Sequence, residues 1–279
     1  MTFQPAIPTG GLAGLRFLDA TYDRQFDTFS RSPIVEREID YFRENAASAT
    51  TAEALVGDRR LLQVALAAFG LEDELPKRAL IRKVLEEGSV APDSLANRLV
   101  DPAWRRFTAA MGYGDLGGRL GREGVREEIA EQYRVRQFER AVGDSDVDLR
   151  LALNFRREIS DIAGSDNVDR TGWLRVIGSQ PLRIVVLGAL NLPDEIGALD
   201  VDDQVERISD RADRVFGSRS PGIFTEAAVV ERAVERFLLT SAANSGVLDL
   251  TSPGGTALTL LQSGGLGAGA QAGLFASRF

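Results

Sequence analysis

The chain has no cysteine and no histidine. Without thiols there is no disulfide, no thiolate nucleophile and no cysteine zinc site. Without imidazole, Ser-His-Asp and Cys-His catalysis are excluded, and so are histidine-held zinc and iron. Carboxylates, Lys, Arg, Tyr, Ser and Thr remain for chemistry, and an oxygen-ligand Mg2+ or Ca2+ site stays open. Long apolar runs are also missing. The longest, from Ile184 to Leu190, suits a core helix and is too short to cross a membrane. The opening MTFQPAIPTGGLAGLRF has no basic stretch followed by a long apolar one, so no general secretory signal is expected. Basic charge is in deficit, with a formal net charge of −8. A nucleic-acid binder needs a basic face against phosphates, so no nucleic-acid partner is expected. The pairs Arg59-Arg60, Arg105-Arg106 and Arg156-Arg157 read as solvated helix edges.

What is present is an ordinary globular composition, 44% hydrophobic and 27% charged, in 279 residues. Apolar positions recur at three and four residues almost throughout, which predicts an all-α, multi-helix bundle. Leu18, Tyr22, Phe26 and Phe29 mark the first helix. Ser32-Pro33 starts the second, with Ser as cap and Pro in the first turn. Thr50 and Glu53 form a capping-box pattern. Residues 61–69 are nearly all apolar and end at Gly70. Further helices are expected from Pro76, over 92–100, from Asp101-Pro102, over 122–142 and 147–163, and then near 169–178, 181–190, 201–216 and 224–239. Only residues 184–187 leave a strand open.

The expected organisation is a flexible lead over 1–16, a first helical half over 17–111, a Gly-rich linker over 112–121, a second half over 122–245 and a low-complexity tail over 246–279. From Thr240 onward the only charged side chains are Asp249 and Arg278. The halves resemble each other. LLQVALAAFGLEDEL (61–75) aligns with LRIVVLGALNLPDEI (182–196), and RLVDPAWRRF (98–107) with RISDRADRVF (207–216). This predicts a duplicated helical unit with no polar cluster inside it, closer to a scaffold than to an active site.

Three motifs invite chemistry. Residues 112–117 fit G-x-G-x-x-G, but a helix rather than a strand precedes them, so they read as linker. Residues 144–148 resemble the start of a calcium loop, but Leu149 and Phe155 stand where Gly and Glu are needed; an acidic helix start is the expectation. The pairs Glu86-Glu87, Glu127-Glu128 and Asp202-Asp203 diverge on a helix and suit a soluble surface. Trp104 and Trp173 read as core. No catalytic residue, cofactor or metal is expected. An enzyme working through carboxylates and Mg2+ would instead need several Asp or Glu converging in one concave pocket.

TTAEALVGDRRLLQVALAAFGL (50–71), IRKVLEEG (81–88) and SLANRLVDPAW (94–104) resemble an alphaproteobacterial family of unknown function often encoded near flagellar genes. The likeness extends from about Gly14 to Phe216, and GLAGLRFLDAT fits it too. It carries over no catalytic residues. It implies an association with flagellar assembly or motility, and hence a cytoplasmic protein or one exported to the flagellum. The resulting expectation is a non-enzymatic structural or assembly protein acting on protein partners, flagellar components among them. The alternative is a cytoplasmic adaptor or chaperone-like module unrelated to motility. In either case Leu274, Phe275 and Phe279 are the tail's expected anchors, because apolar side chains on a tail gain most by docking in a groove.

Overall fold

The computed structural model describes residues 3–115 and 117–244. Thirteen α-helices and no strand are found among them. α1 (Gly11–Ser30) begins earlier than the periodicity suggests, because the lead is held down. The Gln25 carboxamide accepts from Ala6 N at 2.7 Å and donates to Ala6 O at 3.2 Å. α2 (Pro33–Asn45) starts at its proline, but Ser32 makes no side-chain cap. α3 (Ala52–Gly57) is capped by Thr51, one residue beyond the expected Thr50, accepting from Ala54 N at 3.1 Å. α4 (Arg59–Ala68) follows across a single residue, Asp58, which caps it through Arg60 N and Leu61 N. α5 (Arg78–Glu87) comes next. α6 (Leu95–Arg98) is one turn where a longer helix was expected, and α7 (Ala103–Met111) closes this stretch.

α8 (Glu123–Gly143) and α9 (Val147–Ala163) form a hairpin through the middle of the molecule. α2 and α4 pack on α8. α10 (Val168–Gly178), α11 (Gln180–Leu190), α12 (Val201–Phe216) and α13 (Ala227–Asn244) complete the bundle, with α11 and α13 against α9. The possible strand at 184–187 is therefore helix, and its Val185, Val186 and Leu187 are buried. α1 lies across α8, α9 and α13, and its Tyr22, Phe26 and Phe29 rings surround Phe138 of α8 at 5.2 to 5.6 Å. Such edge-to-face clusters add about 0.5 to 1.5 kcal/mol per pair beyond area burial. The buried side chains form one continuous cluster from Leu15 to Leu238. The core does not divide at 112–121, and that segment is not a free tether. Tyr113 donates its hydroxyl to Ala49 O at 2.5 Å, and Asp115 accepts from Ser89 N at 2.9 Å and Val90 N at 3.1 Å.

Of the two pairs of blocks that align in sequence, 61–75 and 182–196 follow a similar local path, whereas 98–107 spans the end of α6, a break and the start of α7 where 207–216 lies wholly inside the continuous α12. α3 ends at Gly57 and α10 at Gly178, and each turns through one residue, Asp58 or Ser179, into the apolar helix α4 or α11. α10 and α11 meet there at 104°. Both apolar helices end in a left-handed residue, Gly70 at φ 75° and Asn191 at φ 51°. Leu71 N then donates to Leu66 O at 2.9 Å, and Leu192 N to Leu187 O at 2.9 Å. A 3-10 turn follows in each case, Glu72–Glu74 and Asp194–Ala198.

Candidate functional site

The polar residues that matter lie on facing sides of the central hairpin. On α8, Gln132, Arg136, Glu139 and Arg140 recur at helical spacing; on α9, Arg150, Asn154, Arg157, Glu158 and Asp161 do the same. α7 adds Arg106. Glu158 is the hub, with its side chain 7% exposed. It accepts from Arg136, from Arg157 at 3.1 Å and from Arg106 at 3.2 Å. Glu139, also 7% exposed, is held bidentately by Arg157 at 2.8 and 2.9 Å. The Asn154 carboxamide oxygen, in the orientation that satisfies its neighbours, accepts from Arg136 Nη1 at 3.0 Å and Arg157 Nη2 at 2.8 Å. The buried carboxylates and guanidiniums thus satisfy one another, as buried charge requires.

Burial pushes the Glu158 carboxyl upward, but Arg136, Arg106 and Arg157 outweigh it and bring the carboxyl down to about 2. Desolvation holds the Arg136 guanidinium below its ordinary range; Glu158 pulls it back while Arg157 and Arg106 add to the shift. The crowding of three cations is therefore borne by Arg136, and the gain falls on Glu158. Desolvation pushes Tyr133, on the same helix, up to about 12. At neutral pH Glu158 is a fixed negative charge and is poorly suited to taking up a proton.

Cavities open on both sides of Arg136. One, of about 290 Å3, lies among Phe69, Arg106, Val135, Arg136, Arg157 and Glu158. The other is a larger cleft of about 660 Å3 with a mixed lining. Its polar lining includes Arg136, Arg140, Asn154 and the acidic turn at 72–74. Arg140 pairs with Glu72 at 3.1 Å. Its apolar lining includes Val100, Val147, Leu151, Pro181 and Ile184. Val100 is 80% exposed and Val147 55%. Glu72, Asp73, Glu74, Asp101 and Glu139 all reach this cleft. Even so, no three acidic side chains among the described residues are grouped to hold a metal ion.

Arg59 and Arg60 are both exposed, as a solvated edge requires, but the same expectation needs correction for Arg106, Arg156 and Arg157. Arg157 belongs to the buried cluster. Arg156 bridges Asp19 of α1, at 2.6 Å, and Glu231 of α13. Arg106 joins Glu158 while Arg105 faces solvent. Arg60 pairs with Glu38 at 3.1 Å and lies 3.9 Å over the Tyr41 ring. Asp146 of the calcium-like run caps α9, accepting from Leu149 N at 3.0 Å. Gly112 of the G-x-G-x-x-G run ends α7 in the left-handed region. Trp104 and Trp173 are buried, and Trp173 donates to Arg219 O at 2.7 Å. Leu274, Phe275 and Phe279 lie outside the described residues. Nothing in the sequence reading singled out Arg136, Glu139, Asn154 or Glu158. The signal was there: polar side chains share the helical face of Leu151 and Phe155 on α9, where a solvated edge would not put them.

A family model described as "Protein of unknown function (DUF1217)" matches residues 68–216. The chain belongs to this family. The matched span contains every member of the Glu158 cluster and the whole acidic turn. The fold of this DUF1217 chain is also similar to an X-ray crystal structure of a protein from Agrobacterium tumefaciens, determined by a structural genomics consortium. The two are 25% identical with a TM-score of 0.67, and the match covers 85% of this chain and 97% of that one. That relative comes from an alphaproteobacterium. No curated protein matches this chain. Among the described residues, no single helix is long and apolar enough to cross a membrane.

Proposed function

We propose that this DUF1217 protein is a non-enzymatic structural or assembly protein that works by protein–protein contact in association with the flagellum. The observation that carries the binding part is the larger cleft. Val100 and Val147 are exposed and line a cleft whose Arg136, Arg140, Glu72 and Glu139 are already held in ion pairs. Apolar side chains left in a groove gain free energy when a partner's apolar side chains cover them. The Glu158 cluster supports this reading, since its fixed charges brace the cleft and do not shuttle protons. The corresponding ends of α4 and α11 support a duplicated unit, which suits a scaffold. The flagellar part rests on the resemblance of residues 50–104 to an alphaproteobacterial family met near flagellar genes.

The test is location. An epitope tag inserted after Asp166, in the exposed turn between α9 and α10, leaves the core and the cleft untouched. Cytoplasm, purified hook–basal bodies and culture medium are then compared. Recovery with the flagellar fractions is the expected result. Recovery only in the cytoplasm, with normal swimming after gene deletion, would favour the adaptor reading instead.

A further inference from the structure

We propose that the smaller cavity, of about 290 Å3, is a binding site for a small organic monocarboxylate, with Arg106 as the group that holds the carboxylate. This role is separate from docking at the larger cleft and goes beyond it. The first support is charge. Three guanidiniums, of Arg106, Arg136 and Arg157, meet two buried carboxylates, of Glu139 and Glu158, so the cluster carries one positive charge in excess. Arg136 and Arg157 spend their donors on Glu139, Glu158 and Asn154. Arg106 meets Glu158 through one nitrogen at 3.2 Å, and it makes no other hydrogen bond or ion pair among the described residues. Asp101 is near enough to feel Arg106, but its carboxylate accepts from Ala103 N at 2.8 Å and lines the other cleft. Arg106 is therefore the cation with donors to spare, and its planar fork of N–H groups fits a carboxylate. An anion here also relieves Arg136, whose charge is disfavoured by desolvation and by the guanidiniums beside it.

The second support is the rest of the lining. Phe69 and Val135 offer apolar contact for the body of a ligand, and Gln132 offers a further N–H donor. The volume lies near the low end of the range for ligand pockets, roughly 300 to 1,000 Å3, so the ligand is small. The third support selects its charge. Glu131 and Asp161 also line the cavity and are exposed, and only Glu131 has an ion-pair partner among the described residues, Arg134 at 2.9 Å. These carboxylates repel a ligand with several negative charges, so phosphate and tricarboxylates are disfavoured and a single carboxylate is admitted.

The test is a saturation-transfer NMR titration of the full-length protein with benzoate and with 3-methylbutanoate, one planar and one branched. Inorganic phosphate and citrate are added as competitors at constant ionic strength. At least one of the two monocarboxylates is expected to saturate a single site with a Kd of about 1 mM or tighter, and the competitors to displace it poorly. Arg106→Gln is expected to weaken binding at least about tenfold, the loss of a charge-assisted bidentate contact. Gln132→Glu keeps the side-chain size, adds a negative charge to the lining and should weaken binding to a similar degree; it decides the matter if Arg106→Gln does not fold. Arg105→Gln, at the exposed neighbour on α7, should bind as the wild type does. Circular dichroism verifies each fold. No saturable binding of either monocarboxylate up to about 10 mM would overturn the proposal. So would ready displacement by phosphate or citrate, unchanged binding in a folded Arg106→Gln or Gln132→Glu, or an equal loss in Arg105→Gln. None of these results bears on the location experiment, so the two readings fail separately.

Discussion

Glu158 holds three guanidiniums together, and Arg136 would be the cation stranded by its loss. Glu158→Gln is expected to cost about 3 to 5 kcal/mol in urea unfolding at pH 7, the range for breaking a buried ion network by removing one partner. The same residue sets a pH dependence. Its folded value of about 2 lies below the ordinary 4.5, so its stabilisation is full above about 4.5 and is lost as pH falls toward 2. That difference corresponds to something on the order of 3 kcal/mol. Stability of the wild type should therefore fall more steeply than that of Glu158→Gln across this window; parallel curves would contradict the assignment. Gly70 offers a second check. It adopts φ 75°, and a Cβ there would sit 2.9 Å from Arg136 Nη1. Gly217 has φ 86° with open space around it. Gly217→Ala is expected to cost about 1 kcal/mol for the left-handed backbone alone. Gly70→Ala should cost clearly more, and its excess should shrink when Arg136 is also changed to Met. Equal costs would mean that Arg136 moves aside freely.

At the scale of elements, corners and caps decide the path. Asp58 turns α3 into α4, accepting from Arg60 N and Leu61 N and from the Tyr41 hydroxyl at 2.6 Å. Those bonds keep its carboxyl below the ordinary range despite the opposing effect of burial. Asp58→Ala is expected to lose about 2 kcal/mol in chemical denaturation, combining a helix cap with a side-chain hydrogen bond. Most helices were legible in the sequence because their breaks have local causes: Pro33, Gly70, Gly88 and Asp101-Pro102 each act on their own neighbours. The capping shift from Thr50 to Thr51 and the shortness of α6 were not legible. The first turns on which of two adjacent threonines meets Ala54 N, and the second on how α5 and α7 pack against α6; periodicity encodes neither. The candidate site was hidden for the same reason. Arg106, Arg136, Glu139 and Glu158 come from three helices, and their charges look like surface charges until α7, α8 and α9 are brought together. The contact of the lead with α1 was not legible either, because the carboxamide that meets Ala6 belongs to Gln25, nineteen positions on.

Taken whole, the molecule has one core, so the stretches on either side of 112–121 should unfold together. Trp104 and Trp173 report on them separately, each buried in its own stretch. Single-tryptophan variants, Trp104→Phe and Trp173→Phe, should give coincident urea midpoints once corrected for the cost of each substitution; separated transitions would show two independently stable halves. The remaining claim concerns what the cleft is for. The most direct measurement is complementation of a gene-deletion strain with a Val100→Asp, Val147→Asp double variant. Both side chains are exposed, so the fold is expected to survive, and circular dichroism would verify it. If the cleft is the contact surface of a flagellar assembly protein, swimming falls to the level of the deletion strain. A folded variant that restores full swimming in a strain whose deletion abolishes it would contradict the account.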